Sequence, residues 1–338
     1  MNNTDSLKKA TFSFLIIAAF AVATLLIAVM MICSNISPYA KQHFVANLPE
    51  TGVMRSVASL YVSDEEMQQL EKAGSGLKTA LENDTTQGEG ALDGIELKEI
   101  SGPTFYAKML IVKDPSRIKL STIYPWRARG VLLDELVTMA DAVGGINSGL
   151  YVQGRNTGGR PQGIVVKGGE IQNNDYAPSQ QLIGMDNKDV LRIINLRGKS
   201  PKEIEQIVRQ EGIRDAVCFP EEGRDISNWM VNILLNGEER KVDGLNCCIN
   251  PRTVIAQRAD GAVLLLATDG RGAGSHIGAT AYDIIQVMKE NGAVTAANLD
   301  GGSSTCMYFN GKYEMGSTTF YHATSSWYFP TAFVIAKK

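Results

Sequence analysis

From Phe12 to Ile32 the chain carries no charged residue, and an apolar run of about 20 residues is what a helix needs to cross the hydrocarbon layer. A core helix of a soluble protein is seldom so uniform, because one face usually meets water. Lys8 and Lys9 precede the run, and the next basic residue after it is Lys41. That bias predicts a cytoplasmic N-terminus, with everything after Ile32 outside. A cleaved signal peptide has a shorter apolar region followed by a small-x-small site. Neither fits, so the run is expected to remain as an uncleaved anchor. Cys33 does not read as a lipidated cysteine, since bulky Ile32 stands where that signal needs a small residue. The expected organisation is a cytoplasmic tail over 1–11, a transmembrane anchor over 12–32, a stalk with a short helix and loop over 33–94, and an outside domain over 95–338.

The rest of the chain has ordinary globular composition, with 44% hydrophobic and 20% charged residues in 338. Net charge is only -3 and the Lys and Arg residues are scattered, so no basic face for nucleic acid is expected. Cys218, Cys247, Cys248 and Cys306 show no C-x-x-C spacing, and His43, His276 and His322 are the only histidines, which leaves a zinc cage unsupported. Disulfides are permitted outside the cell. Four cysteines allow three pairings, and adjacent Cys247 and Cys248 could bridge each other only through a strained ring.

Ser34 to about Arg55 has no clear period. Ser63 followed by Asp64, Glu65 and Glu66 reads as a capping box that opens a short helix, and Gly74 to Gly94 reads as a loop. From Ile95 onward, short strands alternate with amphipathic helices. Lys167-Gly168-Gly169-Glu170, Ala259-Asp260-Gly261 and Asn310-Gly311 separate apolar runs as hairpin turns do. Helices are expected through Leu132–Ala140, after Ser200-Pro201-Lys202-Glu203, and from Thr280 to Asn291-Gly292. Ala293 to Leu299 reads as a buried strand, and Phe329 to Ile335 as the last one. The predicted class is α+β, with a mixed, largely antiparallel twisted sheet and packed helices behind the N-terminal transmembrane helix.

Two polar turns stand out. The strand Ala293–Leu299 delivers Asp300-Gly301-Gly302-Ser303-Ser304-Thr305: a carboxylate at a strand exit, two residues that let a ligand approach the backbone, then three hydroxyls. The helix before Gly144 runs through a short link into Gly145-Ile146-Asn147-Ser148-Gly149. Turns of this kind at strand ends are where ligands usually bind, although hydroxyls in a tight turn also serve simply to satisfy backbone groups.

Asn298 through Met307, with Asn250-Pro251-Arg252-Thr253 and Ala267-Thr268-Asp269-Gly270-Arg271, resembles in order and spacing the motif series of the phosphodiester glycosidase family. Asn147-Ser148-Gly149-Leu150-Tyr151 occupies the place of the family's N-G-G-F-F element. The resemblance covers roughly Ile95 to the C-terminus. Three elements depart from it: Ser148 replaces a glycine, Leu150-Tyr151 replaces the aromatic pair, and Trp327 stands where members commonly carry Arg.

The resemblance implies hydrolysis of a sugar held through its anomeric phosphodiester. Cleaving that C–O bond expels a good leaving group, so a carboxylate that attacks or stabilises the anomeric carbon matters more than a strong acid. Asp300 is the first candidate, and Asp269 the second carboxylate or an orienting partner. Arg252 and Arg271 suit a phosphate, since a guanidinium binds two oxygens at once. Asn147 and Asn298 can bond sugar hydroxyls or merely stabilise turns. Ser148, Gly149, Thr253, Gly301, Gly302, Ser303 and Ser304 complete the candidate substrate-binding set, and His276 can donate a proton or contact phosphate, or be purely structural. No cofactor is expected; calcium suits the donor types, but no D-x-D-x-D-G series supports it. There is no G-x-S-x-G, H-E-x-x-H or P-loop. Expected partners are a glycan or glycolipid of the cell envelope or exopolysaccharide, and the membrane through 12–32. The departures keep a second reading open, a non-catalytic glycan-binding protein of envelope or polysaccharide assembly.

Overall fold

The computed structural model describes residues 3–34, 41, 44–45, 53–67, 94–152, 158–175, 180–221, 231–240, 249–318 and 325–338. The chain divides into two compact units, residues 1–78 and 79–338. In the first, one helix spans Asn3–Cys33. Its stretch Phe12–Cys33 is, among the described residues, the one helix long and apolar enough to cross a membrane. Phe14, Ile17 and Phe20 on it are exposed, as side chains facing lipid would be. A short helix, Val53–Ala58, forms where the sequence shows no period. The predicted cap follows it, with Glu66 N–H donating to Ser63 Oγ at 3.2 Å. Val29, Cys33, Val45, Ala58, Val62 and Met67 make a small core for this unit.

The second unit contains three sheets, and every strand pairing among its described residues is antiparallel. The largest contains, in order, β1 (Ile95–Ser101), β2 (Tyr106–Val112), β13 (Val263–Thr268), β12 (Thr253–Arg258), β14 (Ala293–Asn298), β10 (Asn232–Leu235) and β11 (Glu238–Glu239). A second contains β16 (Lys312–Met315), β15 (Met307–Phe309), β4 (Ala142–Asn147), β17 (Thr331–Ala336) and β3 (Ile118–Thr122). The third contains β6 (Glu170–Asn174), β5 (Ile164–Lys167), β9 (Ile213–Pro220), β7 (Gln180–Asp186) and β8 (Leu191–Asn195). The three predicted turns join β5 to β6, β12 to β13 and β15 to β16.

Strands β13 and β17 are continuous apolar runs because both faces are covered, and Leu265, Ile255, Leu110, Ile146, Val217, Ile183 and Phe333 from all three sheets meet in one core. Burying each such side chain stabilises the fold by about 1.5–3 kcal/mol. The predicted helices are Leu133–Met139, Pro201–Gln210 and Ala281–Glu290. The last two carry reciprocal caps, Ser200 with Glu203 and Thr280 with Asp283.

One expectation is corrected. Gly144-Gly145-Ile146-Asn147 is not a link into a turn but the buried strand β4, between β15 and β17. A Cβ on Gly144 would lie 2.6 Å from Tyr308 O, and one on Gly145 2.3 Å from Phe333 O. The neighbouring backbones close in so far that only glycine fits.

Candidate active site

Strand β14 ends at Asn298, and Leu299 N–H still donates to Thr253 O at 2.8 Å, so the chain leaves the sheet at Asp300 with no slack. Asp300 is held by its backbone. Its N–H donates to Ser148 O at 3.1 Å, and Asn147 Nδ2 donates to its carbonyl at 2.6 Å. Asn147 Oδ1 accepts from Thr253 Oγ1 at 2.9 Å and from Cys306 N–H at 3.1 Å. Strand ends β4, β12 and β14 and the residue preceding β15 thus meet at one asparagine amide. Asn147 latches the Asp300 turn, the turn-stabilising use of its amide that the sequence left open beside a sugar contact.

The Asp300 side chain is buried, and its Oδ2 has no hydrogen-bond partner among the described residues. Burial pushes its carboxyl up to about 7, against the opposing pull of a hydrogen bond from Ser304 and the positive charge of Arg271. A buried, unpartnered carboxylate oxygen is costly, and its presence in a polar turn marks a site built to meet something. Gly302 sits beside it at φ +61, and a Cβ there would lie 2.8 Å from Arg271 Nη2. Arg271 therefore lies across the Gly301–Gly302 turn, and its Nη2 donates to Asn250 Oδ1 at 3.1 Å.

Arg271 belongs to the loop that follows β13. Asp269 opens that loop and is clamped: its Oδ1 accepts from Tyr106 N–H at 2.7 Å, and its N–H donates to Tyr106 O at 2.8 Å. Its Oδ2 lies 2.6 Å from His276 Nδ1. The loop closes with Arg271 N–H donating to Ile277 O at 3.1 Å and Gly272 N–H to His276 O at 2.7 Å. Asp269 is thus hydrogen-bonded to a histidine whose side chain is about one-third exposed. With Nδ1 turned to the carboxylate, Nε2 is left to exchange a proton or touch an anion.

Arg252 is drawn toward the start of helix Ala281–Glu290. Its side chain is buried, its Nε donates to Ala279 O at 3.3 Å, and its charge acts on Asp283 at the N-terminus of helix Ala281–Glu290. Arg271 is the guanidinium whose charge reaches Asp300. Ser148 Oγ pairs with Thr331 Oγ1 at 2.8 Å, and a Cβ on Gly149 would lie 2.9 Å from Cys218 O. Both residues brace the site from behind. Asn298 is buried at the strand exit, and Ser303 is half-buried in the short turn Gly302–Ser304. Two residues that the sequence quoted only within motifs, with no role at the site, join the constellation: Asn250, through Arg271, and Tyr151, whose hydroxyl lies 3.1 Å from Ser304 Oγ. Asn250 stands in the motif Asn250-Pro251-Arg252-Thr253, which was its one signal.

Cys218 and Cys306 are buried free thiols, each pushed up by burial. Cys247, Cys248, His43 and His322 lie outside the described residues. Among the described residues no three His, Cys, Asp or Glu side chains converge as metal ligands would.

Residues 140–336, more than half of the chain, match the family model for phosphodiester glycosidase. Among solved structures, the zebrafish N-acetylglucosamine-1-phosphodiester alpha-N-acetylglucosaminidase catalytic domain, auto-inhibited by its pro-peptide, shares the fold. Its TM-score is 0.56 at 16% identity, over 72% of this chain and 82% of that one. A putative exported protein from Burkholderia pseudomallei aligns with a TM-score of 0.45 at 13% identity, over 69% of this chain and 74% of that one. A curated relative, the SPbeta prophage-derived uncharacterized protein YomE of Bacillus subtilis, is 41% identical over 64 residues, 19% of this chain and 10% of that protein. This chain therefore matches a small fraction of that relative's length.

Proposed function

This chain belongs to the phosphodiester glycosidase family, and we propose that it is an extracytoplasmic hydrolase of sugar 1-phosphodiesters, held at the cell membrane by residues 12–32. The observation that carries this reading is Asp300, a buried carboxylate with an open Oδ2, raised by burial to about 7, in a turn across which Arg271 lies. In the reaction, the bond between the anomeric carbon and its phosphate oxygen breaks, water supplies the new hydroxyl, and the phosphomonoester leaves. Arg271 holds the phosphate oxygens as their charge grows. Asp300 meets the anomeric carbon from Oδ2, as nucleophile or as the group that stabilises its positive charge. His276, steered by Asp269, handles the proton of the attacking water or caps the leaving phosphate. The residues serving catalysis are then Asp300 directly and Asp269 through His276, with Gly301, Gly302 and Ser303 as the floor on which the sugar rests.

The domain that carries this chemistry is residues 95–338, and with the N-terminus in the cytoplasm it acts outside. Its substrates are glycans or glycolipids of the envelope, or exopolysaccharide, joined through sugar 1-phosphate. The test is release of sugar from synthetic α-N-acetylglucosamine 1-phosphodiesters, and from phosphodiesters of other sugars, by the full chain in detergent, beside Asp300→Asn. Turnover lost in that variant supports the reading. Wild-type protein that releases nothing from any sugar phosphodiester overturns it.

A further inference from the structure

Between β3 and helix Leu133–Met139 the chain runs Tyr124-Pro125-Trp126-Arg127-Ala128-Arg129 along the surface. Trp126 is half-buried and pinned, its Nε1 donating to Gln172 O at 3.2 Å. Tyr124 stands edge-on to it at 5.4 Å between centroids and is itself 52% exposed. Three stretches of backbone meet beside this pair. Arg127 N–H donates to Gly159 O at 3.2 Å, and Val131 N–H to Phe329 O at 3.1 Å. A Cβ on Gly158 would lie 1.8 Å from Tyr328 O, one on Gly159 2.3 Å from Arg127 O, and one on Gly130 2.4 Å from Gly158 O. The glycines let segments 127–131, 158–160 and 328–329 lie flush, and what that closeness displays is charge. Arg127, Arg129 and Arg160 are all exposed. None of them is paired with a carboxylate among the described residues. Arg129 instead lies over the Tyr328 ring, its guanidinium carbon 4.0 Å from the centroid. A guanidinium held on a ring face is restrained, and its N–H groups stay available to an anion.

This patch continues toward the Asp300 turn through packed side chains. Phe329, next to Tyr328, stands 5.8 Å from the Tyr151 ring, and the Tyr151 hydroxyl lies 3.1 Å from Ser304 Oγ. We propose that Tyr124, Arg127, Arg129 and Arg160 form a second sugar-phosphate subsite, which holds the unit next to the one being cleaved, so that the preferred substrate is a chain of sugar phosphates rather than a single phosphodiester. This deepens, and rests on, the reading of the domain as a hydrolase of sugar 1-phosphodiesters. The chemistry of the patch selects the ligand. An electron-rich ring face meets the polarised C–H bonds of a sugar, and a guanidinium takes two phosphate oxygens at once. Three arginines are too few for nucleic acid, whose binding draws on many phosphate contacts.

The probes are a tetramer of α-N-acetylglucosamine 1-phosphate repeats, a single synthetic α-N-acetylglucosamine 1-phosphodiester, and a single-stranded oligonucleotide of the same charge as the tetramer, each with the full chain in detergent. Arg127→Gln with Arg129→Gln, and separately Tyr124→Ala, change exposed side chains only. Both are expected to raise KM for the tetramer, by about tenfold for the paired arginine change, and to leave KM for the single phosphodiester unchanged. Calorimetry in the Asp300→Asn background reads the same subsite without turnover: affinity for the tetramer should fall with either substitution and with added salt. Tetramer affinity that neither substitution moves overturns the proposal, and so does an oligonucleotide that binds more tightly than the tetramer. Binding that depends on these residues, in a chain whose wild type hydrolyses nothing, sinks the glycosidase reading alone. Hydrolysis in which KM for the tetramer is unmoved by both changes sinks the subsite alone.

Discussion

At the scale of single residues, the proposed role of Asp300 would couple activity to stability with opposite signs. Its carboxyl is raised by burial from the ordinary 3.8 to about 7, so the folded chain binds its proton more tightly than the unfolded chain. The contribution is fully present below the unfolded value and is lost as pH rises through about 7. Asp300→Asn removes the ionising group. The variant should lose roughly 10²–10⁴-fold in turnover while gaining stability above neutral pH, by no more than about 4 kcal/mol. Thermal melts at pH 5 and pH 8 read the sign: the advantage of the variant over wild type should be larger at pH 8, and an equal advantage at both refutes the assignment. A second pair follows from the 2.6 Å contact of Asp269 with His276. If the carboxylate acts only through the imidazole, Asp269→Asn and His276→Gln should each cost about 10–100-fold in kcat/KM, and the double variant no more than the worse single one. Independent, multiplying losses would show that Asp269 has a separate task.

At the scale of elements, the site depends on backbones brought closer together than side chains allow. Gly302 lies at φ +61 with Arg271 Nη2 at 2.8 Å from where its Cβ would stand. Gly302→Ala should cost about 1–2 kcal/mol in stability for the left-handed conformation and, by displacing the guanidinium, raise KM for the phosphodiester. An unchanged KM would mean that Arg271 does not bind phosphate. Gly145→Ala, with Cβ 2.3 Å from Phe333 O, should instead disturb the sheet and show in melting temperature before KM. The same closeness explains what could be read ahead of the structure. Ser200 with Glu203 and Thr280 with Asp283 announce helices because a capping box is local, and Gly168-Gly169, Asp260-Gly261 and Asn310-Gly311 announce hairpins for the same reason. Strand β4 was illegible, since two glycines in succession carry no strand signal and only β15 and β17 on either side make that stretch a strand. The Asp300 turn and the Asp269 loop were legible as motifs. Which guanidinium lies across the Asp300 turn was not, because Arg252 and Arg271 differ only in the direction their neighbours leave open.

At the scale of the whole molecule, the proposed hydrolase would be useful only on the side of the membrane where its substrate lies, and the sequence that would set that side precedes the domain by about 60 residues. Phe12–Cys33 is long and apolar enough to span, but a helix this uniform has no inherent direction. The bias comes from Lys8 and Lys9 on one side against nothing basic before Lys41 on the other. Carbonate extraction should leave the chain in the membrane pellet, since the burial of about 20 apolar residues in lipid does not depend on pH. Lys8→Glu with Lys9→Glu should then leave membrane retention intact while lowering the fraction of chains whose C-terminal domain is open to protease in intact cells. Activity toward an added, membrane-impermeant phosphodiester should fall in the same proportion, because the catalytic groups themselves are untouched. If the charge-reversed chain were equally exposed, something other than the flanking lysines would orient it. If it were equally exposed yet inactive, the N-terminal tail would have a part in catalysis that the buried carboxylate alone does not explain.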